Sequence, residues 1–121
     1  MGVLELTKSH TYFNYLMLLQ VVESEFDCSP IDSLEKQLLN HLLINQNLGH
    51  KQWVGDLIHL NKLGSQATLH TRIKRLTKKG YLELKPSMND ARRKQVLLSK
   101  KSIRHFIELS SCIERAVYSG R

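Results

Sequence analysis

The chain has 121 residues, of which 41% are hydrophobic and 24% charged, so length and composition allow one folded domain and exclude a disordered chain. Its formal net charge of +7 makes nucleic acid or an anionic membrane surface the first partners to consider. No apolar run reaches the roughly 18 residues of a membrane-spanning helix, and the N-terminus lacks the features of a signal peptide, so we expect a soluble, intracellular protein.

The first predicted helix covers residues 7–25, with Thr7 as its N-cap. Its middle, YFNYLMLLQVV at 12–22, is apolar on nearly every side. A single small core covers only one face of a helix, so we expect a second covering surface, most simply another copy of this chain. A central core helix inside a monomer is the alternative.

Three more helices are predicted in close succession. The second begins at a cap on Asp32 or Ser33 and ends near Asn47. The third covers about 51–60 and the fourth 65–79, and the turn between them contains a glycine. A tight pair of helices joined by such a turn has the form of a helix-turn-helix.

After the fourth helix the pattern changes to that of a β-hairpin. Residues 81–85 and 94–98 suit strands, and the segment between them is polar and rich in turn formers. A last helix, capped by Ser99, runs to about Tyr118. The predicted fold class is therefore mainly α with a small β-hairpin wing (α+β): four helices, the wing and a fifth helix, which is the winged helix-turn-helix order.

The positive charge is concentrated in one third of the chain. Residues 1–71 carry four Lys and seven acids, whereas residues 72–105 carry twelve Lys or Arg and two acids. Such clustering is typical of nucleic-acid binding. A membrane surface is the weaker interpretation, because it usually requires bulky apolar residues opposite the cations on one helix.

The fourth helix has no Asp or Glu at all. Leu69, Ile73 and Leu76 have helical spacing and predict one narrow buried stripe, while the remaining positions are small, hydrogen-bonding or cationic. A helix that merely faces water usually mixes both signs of charge, so this pattern favours contact with a polyanion, above all DNA. A solvated basic face is the alternative.

The order of these segments resembles the MarR-type transcription regulators. The resemblance is carried by VGDL at 54–57, LGSQATL at 63–69, IKRLTKKGYL at 73–82 and DARRKQVLLS at 90–99. It implies a homodimer on pseudo-palindromic double-stranded DNA, with each fourth helix in a major groove and each wing beside a minor groove. We expect a transcriptional regulator of bacterial or phage type, acting as a repressor in the cytoplasm at the nucleoid. A plasmid or phage replication or partition factor and a protein-interaction winged helix are the alternatives.

The predicted DNA contacts lie on the fourth helix and the wing. A helix N-terminus presents free N–H groups and positive potential, which suits phosphate or base-edge contacts. Lysines further along, Lys79 among them, are interpreted as phosphate contacts, and Arg72 has the protein's own surface as an alternative. The full set is Ser65, Gln66, Thr68, Thr71, Arg72, Lys74, Arg75, Lys78, Arg92, Arg93 and Lys94.

Two further expectations follow from the resemblance. In the family, the acid of an Asp-x-Arg in the wing holds the arginine; Asp90 and Arg92 match it, so Asp90 supports the wing and Arg92 enters the minor groove.

The chain departs from the family after the wing, where one helix follows instead of two and Lys101-Ser102 replaces the usual Gly. The dimer is therefore expected to rest on the helices at 7–25 and 99–118, around a DNA-binding core at 33–98 in one domain of 1–121. Its predicted interface residues are Tyr12, Phe13, Leu16, Leu19, Phe106, Ile113 and Val117.

No catalytic residue, metal site or cofactor is predicted. His41, His50 and His59 and the other histidines do not form close pairs such as HExxH. Cys28 and Cys112 are interpreted as inert small hydrophobic residues, with a redox switch as the alternative. We therefore expect no enzyme, and a small-molecule effector is left open.

Overall fold

The structure, a computed structural model, describes residues 9–25 and 30–119, so the predicted cap at Thr7 and Cys28 lie outside the described residues. The elements are α1 (His10–Glu25), α2 (Ser33–Asn47), β1 (Gln52–Trp53), α3 (Val54–Leu57), α4 (Gln66–Lys78), β2 (Leu82–Pro86), β3 (Lys94–Leu98) and α5 (Lys100–Ser119). The predicted fold class, mainly helical with a β-hairpin wing, is confirmed. The described residues divide into two compact units, one of residues 31–103 and the other of residues 9–25 and 30 with 104–119.

The core of the 31–103 unit is built from one face of each helix and of the sheet. The stripe that the sequence predicts on α4 is buried, because spacings of three and four residues bring its members to one side of the helix. These residues pack with apolar side chains from α2, α3 and the strands. The buried set is Leu38, Leu39, Leu42, Leu57, Leu69, Ile73, Leu76, Tyr81, Leu82, Val96 and Leu98.

The wing is part of a three-stranded antiparallel sheet with the order β1-β3-β2. Leu82 pairs with Leu98 at one end of β2 and β3, and Pro86 pairs with Lys94 at the other. β1 adds a short third strand through the pairing of Trp53 with Gln95. The wing is therefore attached to the segment before α3 as well as to α4.

The third helix is shorter than the sequence predicts. The expectation of a helix over about 51–60 is wrong, because Gln52 and Trp53 are extended and hydrogen-bond the open edge of β3. The helix begins only after Trp53, whose N–H donates to the Asp56 carboxylate at 3.2 Å, and ends at Leu57. Periodicity within one segment does not reveal a strand partner elsewhere in the chain.

The C-terminal end of α4 is anchored to the start of α5. Gly80 ends α4 with φ +87°, a conformation that favours glycine. The Lys101 ammonium donates to the carbonyl of Lys79 at 2.8 Å, and the Ser102 hydroxyl donates to the carbonyl of Tyr81. Lys101 thus satisfies a carbonyl that the end of a helix leaves without an intrahelical partner, and Ser102 adds a second donor to the Tyr81 carbonyl, which also accepts the Ser99 N–H at 3.1 Å.

The other unit consists of α1 and the later part of α5, and it exposes much apolar surface. Five of the predicted interface residues are exposed, and Leu19 and Phe106 are half-buried; the exposed ones are Tyr12, Phe13, Leu16, Ile113 and Val117. An open groove of about 570 Å³ lies between the start of α1 and the end of α5, at Tyr12, Tyr15 and Val117. Cys112 is 1% exposed. None of the described helices is long and apolar enough to cross a membrane.

Candidate nucleic-acid interface

The N-terminus of α4 is capped by its own side chains. The Ser65 hydroxyl accepts the Thr68 N–H at 3.2 Å and donates to the Thr68 hydroxyl at 2.9 Å. Thr68 therefore keeps its own hydroxyl proton for an outside acceptor. Thr71 donates its proton to the carbonyl of Ala67 at 2.9 Å, so towards a ligand its hydroxyl acts as an acceptor. Gln66 is exposed beside them.

The outward face of α4 carries cations without acidic neighbours. Lys74 and Lys78 are exposed, as is Lys94 at the start of β3. Within residues 9–25 and 30–119, no carboxylate lies within salt-bridge distance of these three ammonium groups. Their charge is therefore uncompensated nearby, which is the condition for attracting a phosphate backbone.

A second group of cations faces the protein itself. Nη1 of Arg72 lies 2.8 Å from Oδ2 of Asp32. Arg72 therefore lies along the protein's own surface, which was the alternative to a DNA contact. Nζ of Lys79 lies 3.6 Å from Oε1 of Glu35 and the side chain is only 18% exposed, so its geometry differs from that expected of a phosphate contact. Arg75 is intermediate: its Nε lies 3.8 Å from Oε2 of Glu35, yet its side chain is 45% exposed. The α4 cations therefore divide into an inward and an outward set.

The two acids that hold the inward set also start α2. The Asp32 carboxylate accepts the N–H of Glu35 at 2.8 Å, and the Glu35 carboxylate accepts the N–H of Asp32 at 2.9 Å, forming a capping box. Glu35 is fully buried. Burial by itself raises the pKa of Asp32, but the Glu35 N–H and the Arg72 charge outweigh it, so the pKa lies below its usual value. Because Asp32 and Glu35 also form ion pairs with cations of α4, the capping box joins the N-terminus of α2 to α4.

The wing tip is held by Asp90. Its carboxylate accepts the N–H of Arg92 at 3.0 Å and lies 3.5 Å from the Arg92 Nε, and its carbonyl accepts the N–H of Arg93 at 3.0 Å. The Arg92 side chain is 95% exposed. The structure thus brings Asp90 and Arg92 together as the Asp-x-Arg resemblance implies, with the guanidinium projecting from the tip.

Arg93 has a different environment from Arg92. Its guanidinium carbon lies 3.9 Å from the centroid of the Trp53 ring, in cation–π contact. Sequence reasoning missed this contact because it depends on β1. It also missed the pairing of the capping-box acids with α4; the Asp-x-x-Glu spacing at 32–35 is a visible signal for the capping box, but not for its distant partners.

Comparisons with known proteins identify the fold. No protein-family model matches the sequence, and no curated protein matches it. Among solved structures, MepR from S. aureus bound to ethidium bromide is 15% identical with a TM-score of 0.67, covering 98% of this chain and 80% of that chain. A transcriptional regulator from Thermotoga maritima is 17% identical with a TM-score of 0.65, covering 97% and 74%. A mutant of S. aureus MepR bound to an oligodeoxyribonucleotide is 16% identical with a TM-score of 0.63, covering 85% and 72%.

These structural similarities show which fold the chain has. The chain has a winged helix-turn-helix fold. The fold is that of the MarR-type transcriptional regulators, so the resemblance stated from the sequence is confirmed at the level of the fold. Within the described residues, no group of three or more His, Cys, Asp or Glu side chains is placed to hold a metal ion.

Proposed function

We propose that this protein is a homodimeric transcriptional repressor that binds double-stranded DNA at a pseudo-palindromic site. The observation that carries the proposal is the outward face of α4, which has no acidic residue and exposes Lys74, Arg75 and Lys78. Neutralising phosphates with such cations releases counterions, and this supplies much of the affinity of DNA-binding proteins. The fold neighbours support the same partner, because the MepR mutant is bound to an oligodeoxyribonucleotide.

In this proposal the start of α4 reads bases and its later turns position the helix. Gln66 and Thr68 read base edges in the major groove, with Thr71 accepting from a base amino group. Ser65 and the helix N-terminus contact phosphate. Arg75, with Lys74 and Lys78, contacts the backbone, which fixes the register of the helix without specifying sequence. Arg72 reaches a phosphate with the guanidinium N–H groups that Asp32 leaves available.

The wing supplies the contacts beside the major groove. Arg92 enters the adjacent minor groove, where narrow A·T-rich segments have an enhanced negative potential that attracts arginine. Asp90 restricts the backbone from which Arg92 projects. Arg93 and Lys94 contact phosphates beside the wing tip.

The exposed apolar surface of α1 and α5 supports the homodimer. Contiguous apolar surface of this kind usually marks an interaction site. Residues 7–25 and 99–118 form the dimer in this proposal, and residues 33–98 form the DNA-binding core of the single domain. Dimerisation presents two α4 helices to half-sites about 34 Å apart, one helical turn of DNA. A repressor in the bacterial cytoplasm then needs only to occupy its promoter, without catalysis or a cofactor.

Gel-shift titrations against a randomised duplex library test the assignment of roles. Gln66→Ala or Thr68→Ala is expected to change the preferred bases of the major-groove site, whereas Arg92→Ala weakens binding and relaxes only a modest preference for A·T pairs beside that site. Equal losses on every sequence for all three variants contradict base reading by α4. Selection of tandem repeats indicates a replication or partition factor instead, and failure to bind any duplex favours a protein-interaction winged helix.

A further inference from the structure

β1 is the element that the sequence pattern does not predict, and it carries the chain's only tryptophan. Trp53 lies opposite Gln95 in the register of β1 and β3. Arg93 lies in the bend directly before β3, two residues before Gln95. Diagonal neighbours across two strands are within reach of a long side chain, and here the guanidinium carbon lies 3.9 Å from the ring centroid.

Hydrogen bonds hold the backbone of both Trp53 and Arg93. The Arg93 N–H donates to the carbonyl of Asp90 at 3.0 Å, and its carbonyl accepts the N–H of Ser87 at 2.8 Å. The Trp53 N–H donates to Asp56 at the start of α3. The stack therefore connects the wing tip, β1 and the helix-turn-helix, and the backbone on both sides of it is fixed, by strand pairing at Trp53 and by turn hydrogen bonds at Arg93.

A guanidinium that lies on an aromatic face still has donors to offer. Its five N–H groups point outward in its own plane, so stacking occupies the face and leaves the edge for a phosphate. An arginine that is already ordered also loses less rotamer freedom on binding than a mobile one. Arg92 next to it is 95% exposed, and its side-chain partner among the described residues is the carboxylate of Asp90 rather than an aromatic face.

We infer that Trp53 is a positioning residue for DNA binding, which holds the Arg93 guanidinium flat against the indole so that its N–H edge binds a backbone phosphate beside the wing tip. This inference rests on the DNA-binding function proposed above. It also gives β1 a role, because without the pairing of β1 with β3 the indole has no fixed place under Arg93.

The test is a double-mutant cycle with a matched control, read as the affinity for a randomised-sequence duplex over a range of salt concentrations. Trp53→Ala is expected to weaken binding about two- to tenfold per chain, the cost of ordering one mobile arginine on binding, and Trp53→Phe to recover most of that loss. In the Arg93→Ala background, Trp53→Ala has no further effect. In the Arg92→Ala background, the control, the full loss remains.

A spectroscopic measurement in the absence of DNA separates this inference from the proposed function. Because Trp53 is the only tryptophan, its fluorescence reports the stack directly. Arg93→Ala is expected to change the emission of the free protein, and Arg92→Ala is not. Equal losses from Trp53→Ala in both arginine backgrounds, tighter binding by Trp53→Ala, or emission that ignores Arg93 would each overturn the inference while DNA binding by the native chain stands. A native chain that binds no duplex overturns the proposed function and this inference with it.

Discussion

Replacing Asp32 by Asn separates two tasks that this side chain performs. Its Oδ1 caps α2, and its Oδ2 pairs with Nη1 of Arg72 on α4 at 2.8 Å. Asn is about as good an N-cap as Asp, so Asp32→Asn keeps the cap and removes the charge. Asp32→Ala removes both and is the matched comparison.

The expected loss is modest because the pair is partly exposed. The Arg72 and Asp32 side chains are 26% and 39% exposed, so solvent screens their attraction. An ion pair of this kind contributes about 0.5–1 kcal/mol, and Asp32→Asn should lower the free energy of unfolding by that amount. Asp32→Ala adds about 1 kcal/mol for the lost cap. Urea denaturation at one fixed protein concentration measures both, since the stability of a dimer depends on concentration.

The stabilisation by the ion pair of Asp32 and Arg72 should depend on pH. The native pKa of Asp32 is lowered, so its stabilising contribution is fully present above the unfolded pKa and is lost as the pH falls through the native pKa. The difference between the native chain and Asp32→Asn should therefore be complete at neutral pH and shrink below about pH 4. Equal stabilities at neutral pH, or a difference that persists unchanged in acid, would refute the reasoning.

Three further predictions follow from the exposure or burial of particular side chains. Lys78→Ala should reduce the slope of log affinity for duplex DNA against log salt by about 0.9 per chain. Lys79→Ala should leave that slope unchanged and lower the thermal stability instead. Equal changes in slope for the two variants would contradict the division into outward and inward cations. Phe13→Asp should shift the native mass in sedimentation equilibrium from dimer to monomer, and an unchanged dimer would exclude this face as the interface. In a Cys28→Ser variant, Cys112 should resist thiol reagents until the chain is unfolded, and rapid labelling of the native variant would contradict its burial.

The sequence was sufficient to predict those helices and strands whose periodicity and capping residues lie within the segment itself. α4 is an example: its buried stripe has a clear period, Ser65 caps its start and Gly80 ends it, and all three lie where the pattern puts them. The wing strands and the start of α2 at Asp32 were predicted for the same reason. These features depend on neighbours a few residues away, which the sequence displays directly.

What the sequence could not predict are contacts between distant segments. Gln52 and Trp53 were assigned to a helix because their strand partner, β3, lies far along the chain. In the same way, the composition of α4 marks its cations but not which of them Asp32 and Glu35 draw inward. Separating Lys79 from Lys78 required the position of α2, which only the folded chain provides.

The central claim is that two copies of α4 lie in successive major grooves of one DNA duplex. Hydroxyl-radical footprinting on a duplex selected from a randomised library tests it most directly. We expect two protected segments, related by two-fold symmetry and centred about 10 base pairs apart. A single protected segment, a row of tandem repeats, or a duplex that stays unprotected at saturating protein would contradict the claim.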